Sequence, residues 1–211
     1  MITTLVSIFL KVCYSIKNKL FLLKGKIVPK TIRSDLKMEY FSAEFKCELE
    51  NILRKYLSYT AEFLKKKPWN CSIDINYELA KTFDNLMQFK APRGEILLAI
   101  INGNLIGTAS IKMIRDTASE LKRMYVEPEL QGQKIGQILL EAAFERSIQF
   151  GATEMYLESP PPFKPAHKLY RKNGFEMIKE YPEVSIPYEL RANWVYMKKS
   201  RLRKYNTAKI N

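Results

Sequence analysis

The chain has 211 residues, 46% of them hydrophobic and 27% charged, which suits one globular domain with a sizeable core. The formal net charge of +13 is concentrated at the two ends, because residues 1–34 and 198–211 contain lysines and arginines but no acidic residue. The body between them is close to neutral, which argues against a protein that binds nucleic acid over its whole surface.

Cysteine and histidine are scarce. Cys13, Cys47 and Cys71 are widely spaced, so we expect no disulfide framework and a reducing, cytoplasmic environment. His167 is the only histidine, which leaves too few ligands for an ordinary zinc site and predicts no metal. It is also the only base available to a Ser-His-Asp hydrolase, and the chain has no Gly-x-Ser-x-Gly elbow.

The N-terminal extension, residues 1–34, is basic and contains an apolar stretch from Leu5 to Leu23. Lys11 interrupts this stretch well short of the roughly 18 apolar residues that a membrane span needs. A poorly ordered extension is the favoured interpretation, and a peripheral membrane or partner helix is the alternative. We place a domain at residues 35–198 and a basic tail at 199–211.

The first elements of the domain are predicted to be one strand and several helical pieces. A short strand at 37–41 is followed by Ser42, which can cap a helix whose apolar residues recur over 45–56. A second helical piece at 61–64 ends before a proline, and residues 77–87 are helical again after a loop.

An antiparallel meander is predicted next. Strands at 95–101 and 105–114 are joined by Asn102-Gly103-Asn104, which is a strong hairpin signal. A third strand follows at 119–126. Strict alternation along it places Leu121, Arg123 and Tyr125 on one face.

This third strand leads through a glycine-containing loop into an amphipathic helix that ends near Gly151. The first turn of a helix carries unpaired N–H groups and partial positive charge, so it can hold an anion. Lys134 stands in the loop, and no acid appears until Glu141. An anion-binding helix N-terminus is therefore one interpretation, and an ordinary strand–turn–helix is the other.

The last part of the domain adds three more strands and a helix. A strand at 154–158 should lie parallel to 119–126, because a helix joins the two strands. A proline-rich connection leads into a helix at 166–172, and Gly174 ends it. Residues 175–178 begin another strand, and residues 193–197 form the last strand.

Two blocks of the sequence resemble the GCN5-related N-acetyltransferase (GNAT) family. Leu121 to Val126, Pro128 and Gln131 to Gly136 resemble its coenzyme-binding core, with Lys134 where a glycine is usual. The segment from Ala166 to Phe175 resembles its fourth helix and the following strand. The resemblance implies an α/β fold with a mixed, mostly antiparallel sheet, flanked by helices, in which two parallel strands splay apart.

The resemblance also implies acetyl-CoA as co-substrate and an amine as acceptor. The loop amides would bind the pyrophosphate, and the backbone of the preceding strand would bind the pantetheine arm. The residues implied to contact acetyl-CoA are Met124, Tyr125, Val126, Gln131, Gly132, Gln133, Lys134, Ile135, Gly136, Gln137 and Tyr170.

Catalysis of this kind needs a proton donor for the leaving thiolate and a base for the amine. The resemblance implies that Tyr170 is the donor. Glu120 and Glu158 are the candidate bases, because each lies on a strand that borders the expected slot, where desolvation can raise a carboxyl pKa. His167 ranks below them because it lies near the coenzyme end. For Arg123 we favour a structural ion pair over orientation of a carboxylate-bearing acceptor.

Two other classes of function stay open. A non-catalytic acyl-CoA-binding module would keep the loop and lack a base. Alternatively, the basic ends could contact a membrane surface weakly or bind nucleic acid, although no sequence-specific nucleic-acid motif is present. Either a monomer or a homodimer fits the sequence.

Overall fold

The computed structural model describes residues 35–202, and the predictions for residues 1–34 and for the end of the basic tail lie outside these described residues. The strands are β1 (Leu36–Tyr40), β2 (Gly94–Ile101), β3 (Asn104–Arg115), β4 (Ala118–Val126), β5 (Glu154–Ser159), β6 (Glu176–Met177) and β7 (Val195–Ser200). The helices are α1 (Lys46–Leu64), α2 (Ile75–Asp84), α3 (Ile135–Gln149), α4 (Lys164–Lys172) and α5 (Tyr188–Arg191). Short 3-10 turns lie at 43–45, 86–89 and 128–130.

All seven strands form one sheet in the order β1-β2-β3-β4-β5-β7-β6. Only β4 and β5 are parallel, and the other neighbours are antiparallel. This is the mixed, mostly antiparallel α/β fold that the resemblance implies. The strand β7 continues to Ser200, past the predicted domain end at residue 198.

The sheet is covered on both faces. Every residue of β2 is buried, as expected of a strand with a core on each side. Leu97 belongs to a core that includes Leu139 and Phe144 of α3. Leu98 belongs to the opposite core, with Leu49 of α1. The continuous apolar run of this strand is therefore a consequence of two-sided burial.

The hairpin prediction is confirmed. Ile101 pairs with Asn104, so the loop consists of Asn102 and Gly103. Their φ angles are 50° and 74°, as a two-residue turn of the primed type requires.

The helical predictions need three corrections. The segment 46–64 is one uninterrupted helix instead of two pieces, and its apolar residues from Leu49 to Leu57 pack in one core with β2, while Ala61 and Leu64 near its end are also buried. Ser42 does not cap it, since its hydroxyl donates to Glu44 and a 3-10 turn comes first. The next helix begins at Ile75 and not at Tyr77, because the Asp74 carboxylate accepts N–H groups at 2.9 and 3.1 Å and caps it.

The alternation predicted for β4 is wrong beyond Leu121. Arg123 has a φ of +51°, and the register with β3 shifts in the same region, which identifies a β-bulge. The bulge places Leu121 in the α3-side core, whereas Arg123 and Tyr125 contact the α1 and α2 side. The extra residue reverses the facing of all residues that follow it.

The parallel pair is splayed, as the resemblance implies. Pairing of β4 with β5 runs from Ala118 opposite Glu154 to Leu121 opposite Leu157 and stops there. Both strands continue beyond this point, and the bulge directly follows the last pair. A bulge increases local twist, so β4 turns away from β5 and a slot opens between them.

Gly94 allows the 3-10 turn Leu86–Phe89 to lie directly on β2. A Cβ at this position would stand 2.3 Å from Gln88 O and 2.8 Å from Ile111 O, both backbone atoms. We expect Gly94→Ala to lower the free energy of unfolding by about 3 kcal/mol in urea titration. Gly103→Ala is the control, because it meets no atom within 4 Å and costs only about 1 kcal/mol for its left-handed φ. Equal losses would mean that the turn can move away from β2.

Candidate active site

The slot between β4 and β5 is bordered at one end by the loop that leads into α3. Gln131 ties this loop to β4, since its side-chain amide donates to Val126 O at 3.1 Å. Gly132 and Lys134 both have left-handed backbones, with φ angles of +80° and +64°. The lysine thus adopts a left-handed backbone, which glycine favours, at the position where the resemblance implies a glycine.

The N-terminus of α3 is open. No side chain caps it, and its first turn contains no acidic residue. The N–H groups of this turn therefore carry partial positive charge without a partner from a capping side chain. Gly136 lies against the slot, because a Cβ there would be 3.5 Å from Met124 Cε and 3.5 Å from Leu169 Cδ2.

The predicted coenzyme residues thus lie together along one edge. Met124, Tyr125 and Val126 end β4, Gln131, Gly132, Gln133 and Lys134 form the loop, and Ile135, Gly136 and Gln137 begin α3. Gln137 differs from the others in its side chain, which exchanges hydrogen bonds with Asn173 at 2.8 and 2.9 Å and joins α3 to α4. What each residue binds stays a prediction.

Tyr170 of α4 reaches the slot from the other side. Its side chain is 6% exposed, and its hydroxyl has only a long contact of 3.8 Å to Met124 Sδ. Burial, and then the nearby Tyr56, raise the pKa of Tyr170 well above its usual value. The hydroxyl therefore stays protonated at neutral pH and is available to donate to a better acceptor.

Glu158 of β5 lies where the splayed region begins. Lys122 Nζ is 2.7 Å from its Oε1, and the Ser185 hydroxyl donates to it at 3.1 Å. These contacts hold the carboxylate in one position beside the opening.

Glu120 lies in the paired part of β4, opposite Tyr156, and its side chain is fully buried. The Tyr181 hydroxyl donates to it at 2.5 Å. Lys112 Nζ stands 3.1 Å from its other oxygen, an ion pair outside hydrogen-bond geometry. Burial and the charge of Glu120 raise the pKa of Tyr181 far above its usual value. The structure therefore brings Glu158 to the slot and surrounds Glu120 with partners.

Two of the lower-ranked residues can now be placed. His167 is 1% exposed, and its Nε2 is 2.9 Å from Ser159 Oγ. Burial, together with Arg171 and Lys164, lowers its pKa, so the neutral imidazole is favoured. The ion pair expected for Arg123 is wrong for residues 35–202, because its side chain instead contacts Thr82 Oγ1 at 2.9 Å and the Phe89 ring at 5.2 Å.

Tyr56 of α1 is a site residue that sequence reasoning missed. Its ring meets those of Tyr125 and Phe163 edge-on, each at a centroid distance of 6.3 Å. Burial raises the pKa of Tyr56, Arg123 lowers it and Glu158 raises it, so the phenol lies within the field of both groups. Its position on the apolar stripe of α1 made it look like an ordinary core residue.

Residues 35–202 contain no group of three or more His, Cys, Asp or Glu side chains placed to hold a metal ion. Nor does any helix of this part of the chain have the length and apolar character to cross a membrane. The described cysteines, Cys47 and Cys71, are free thiols. The expectations of no metal and of a cytoplasmic location stay predictions.

Comparisons with known proteins agree with this architecture. A family model described as Acetyltransferase (GNAT) family matches residues 49–175. An uncharacterized N-acetyltransferase of Schizosaccharomyces pombe is 30% identical over 127 residues, which are 59% of this chain and 73% of that protein. An aminoalkylphosphonate N-acetyltransferase of Salmonella typhimurium is 31% identical over 90 residues, 40% of this chain and 58% of that protein.

A solved structure shares the fold. The PaiA N-acetyltransferase of Thermoplasma acidophilum, in complex with coenzyme A, superposes with a TM-score of 0.61 at 20% identity, over 78% of this chain and 98% of that one. The fold of this chain is therefore shared with an acetyltransferase. Because the family model also matches more than half of the sequence, this chain belongs to the GNAT family.

Lys134 stores backbone strain that a glycine would not. A left-handed residue with a side chain costs about 1–2 kcal/mol, and glycine adds unfolded-state entropy that cancels part of this gain. We expect Lys134→Gly to raise the free energy of unfolding by about 0.5–1 kcal/mol in urea titration without coenzyme. Gln133→Gly is the control, because its φ is not left-handed and the substitution should destabilise. A loss of stability in Lys134→Gly would show that the lysine side chain stabilises the loop.

Proposed function

We propose that this chain transfers an acetyl group from acetyl-CoA to the amine of an acceptor. The observation that carries the proposal is the slot between β4 and β5, which has an open helix N-terminus at one end and the protonated Tyr170 hydroxyl inside it. The coenzyme A complex of the Thermoplasma protein, which shares the fold, supports this use of the slot.

The residues present suit a coenzyme A molecule. Its pyrophosphate would lie on the amides of 131–136, where the helix dipole and the Lys134 charge both favour an anion. Its extended pantetheine arm would lie along the free edge of β4 at Met124 and Val126. Bound there, acetyl-CoA supplies an activated acyl thioester.

The chain itself supplies proton transfer at two atoms. The amine must lose a proton before it attacks, and the Glu158 carboxylate would accept it directly or through water. Tyr170 Oη carries the proton that the departing thiolate needs. We propose Glu158 rather than Glu120 as the base, because Glu158 lies where the two strands separate, whereas Glu120 is fully buried in the paired part of β4.

Family membership does not name the acceptor. The Salmonella relative is named for an aminoalkylphosphonate, but its similarity covers 40% of this chain. Acceptor identity depends on the region before β2, where the sequence resemblance is faint. A cytoplasmic location and a monomer or homodimer stay part of the proposal.

Isothermal titration with acetyl-CoA tests the coenzyme site. We expect the wild type to bind and Gly136→Trp to lose the heat of binding, because an indole at this position would collide with Met124 and Leu169 beside the loop. Glu145→Trp is the control, since this exposed residue lies towards the other end of α3. A wild type that shows neither heat nor thermal protection would contradict the proposal.

Turnover by point variants tests the chemistry. Turnover by the wild type would exclude a non-catalytic acyl-CoA-binding module. We expect Tyr170→Phe and Glu158→Gln each to lower kcat by about 10²–10⁴-fold, while acetyl-CoA binding persists. The measurement is thiol release at saturating acetyl-CoA over a panel of amines. Glu120→Gln should chiefly lower stability, because it alters a buried ion-pair network. The reverse pattern, with turnover lost in a folded Glu120→Gln and kept in Glu158→Gln, would assign the base to Glu120.

A further inference from the structure

Arg123 is a largely buried guanidinium that no carboxylate neutralises. One amino group donates to Thr82 Oγ1 at 2.9 Å, and the guanidinium carbon lies 5.2 Å from the centre of the Phe89 ring. The other amino group, Nη1, is buried and has no hydrogen-bond partner. No carboxylate among residues 35–202 is within the 4.0 Å of an ion pair with it. A desolvated charge without a counter-charge lowers the stability of the folded protein.

Among residues 35–202, the side chains near Arg123 provide it with no anionic hydrogen-bond acceptor. Thr82 donates its own hydroxyl proton to Glu78 O at 2.7 Å, so it gives Arg123 only a neutral lone pair. Glu158 is engaged by Lys122 and Ser185, and Glu120 by Tyr181. The acids therefore act on Arg123 only at a distance.

Other partly buried arginines of the fold are paired. Arg146 lies over Tyr40 and Phe150 in the same manner, but its guanidinium also donates to Glu95 at 2.8 Å. Arg191 pairs with Glu180. Arg123 differs because its guanidinium lies over the Phe89 ring and forms no ion pair among residues 35–202. The β4 bulge also turns it onto the α1 and α2 side of the sheet, where we place the acceptor.

We propose that the acceptor carries an acidic group, a carboxylate or a phosphonate, and that Arg123 binds it. The inference rests on the proposed function and names its class of acceptor. An anion held by a guanidinium forms charge-assisted hydrogen bonds in a geometry that the planar fork favours. The anion would give Nη1 its missing acceptor and Arg123 its missing counter-charge.

The rest of the site sets the shape of this acceptor. Arg123 directly follows Lys122, whose Nζ lies 2.7 Å from Glu158 Oε1, so the proposed positions of the acid and the amine belong to one small region of the site. The Tyr56 ring, which packs edge-on against the rings of Tyr125 and Phe163, adds an aromatic surface to the site. The positive charge of Arg123 disfavours polyamines. A small amino acid or aminophosphonate fits these features.

The test compares amines that differ only in the acid. Thiol release from acetyl-CoA is measured with alanine, 1-aminoethylphosphonate and ethylamine, and with phenylalanine and 2-phenylethylamine. We expect a higher kcat/KM for the acidic member of each set. Arg123→Met should lower that value by about 100-fold, mainly through KM, and leave the neutral amines and acetyl-CoA affinity unchanged.

Two further variants test whether the preference for acids depends on the guanidinium of Arg123. Arg123→Lys keeps the charge and loses the fork, so it should restore part of the preference for acids. Arg146→Gln removes an arginine that is paired with Glu95 outside the site. It should leave the preference for acidic amines intact and lower the melting temperature. Because Arg123 lacks an acid partner, Arg123→Met should melt no lower than the wild type.

Amine-free acids separate this inference from the proposed function. Propionate, 3-phenylpropionate and methylphosphonate should raise the melting temperature of the wild type and not of Arg123→Met, and the better stabiliser distinguishes carboxylate from phosphonate. If they do so while no amine is acetylated, the anion site stands and the proposed function falls. If amines are acetylated equally well with and without an acid, and Arg123→Met changes nothing, the anion site falls and the function stands.

Discussion

The β-bulge in β4 is the constraint on which the site depends. Hydrogen bonding between β4 and β5 ends at Leu121, immediately before the bulge, and the separation of the two strands creates the slot. The same bulge places Lys122 and Arg123 consecutively on the α1 and α2 side of the sheet. One local irregularity therefore produces both the opening for a coenzyme and the positive charge beside it.

The two neighbouring cations have different environments. Lys122 is neutralised by Glu158, and this ion pair fixes the carboxylate that we propose as the base. Arg123 contacts Phe89 and Thr82 and has no anionic partner within the part of the chain that the structure describes. The α2 helix and the turn after it matter for this reason, since they supply the neutral support that keeps the guanidinium in place.

Lys134, at the proposed coenzyme end of the site, also has an unfavourable environment in the free protein. Lys134 adopts a backbone conformation that disfavours a side chain, and it does so at a helix N-terminus where a positive charge is unfavourable. The electrostatic cost diminishes when an anion lies on the helix terminus. Residues that are poorly satisfied in the free protein thus occur at both proposed binding positions, as is common at functional sites.

The sequence by itself determined the elements whose signals are local. The Asn102-Gly103 hairpin, the amphipathic α3 and the parallel crossover to β5 all follow from turn chemistry and periodicity over a few residues. The resemblance of the coenzyme loop and of the Tyr170 block to known acetyltransferases implied the family, and the family model confirms it.

Only the tertiary structure decided which residues face each other in the site. An alternation rule assumes one residue per pleat, so it cannot show that a bulge turns Arg123 away from Leu121. Periodicity marks Tyr56 as apolar surface of a helix, and only packing of α1 on the sheet makes it part of the slot. The same holds for Glu120 and Glu158, because their partners Tyr181 and Ser185 come from a distant segment. Burial and counter-charge depend on contacts between distant parts of the chain, and no local pattern contains them.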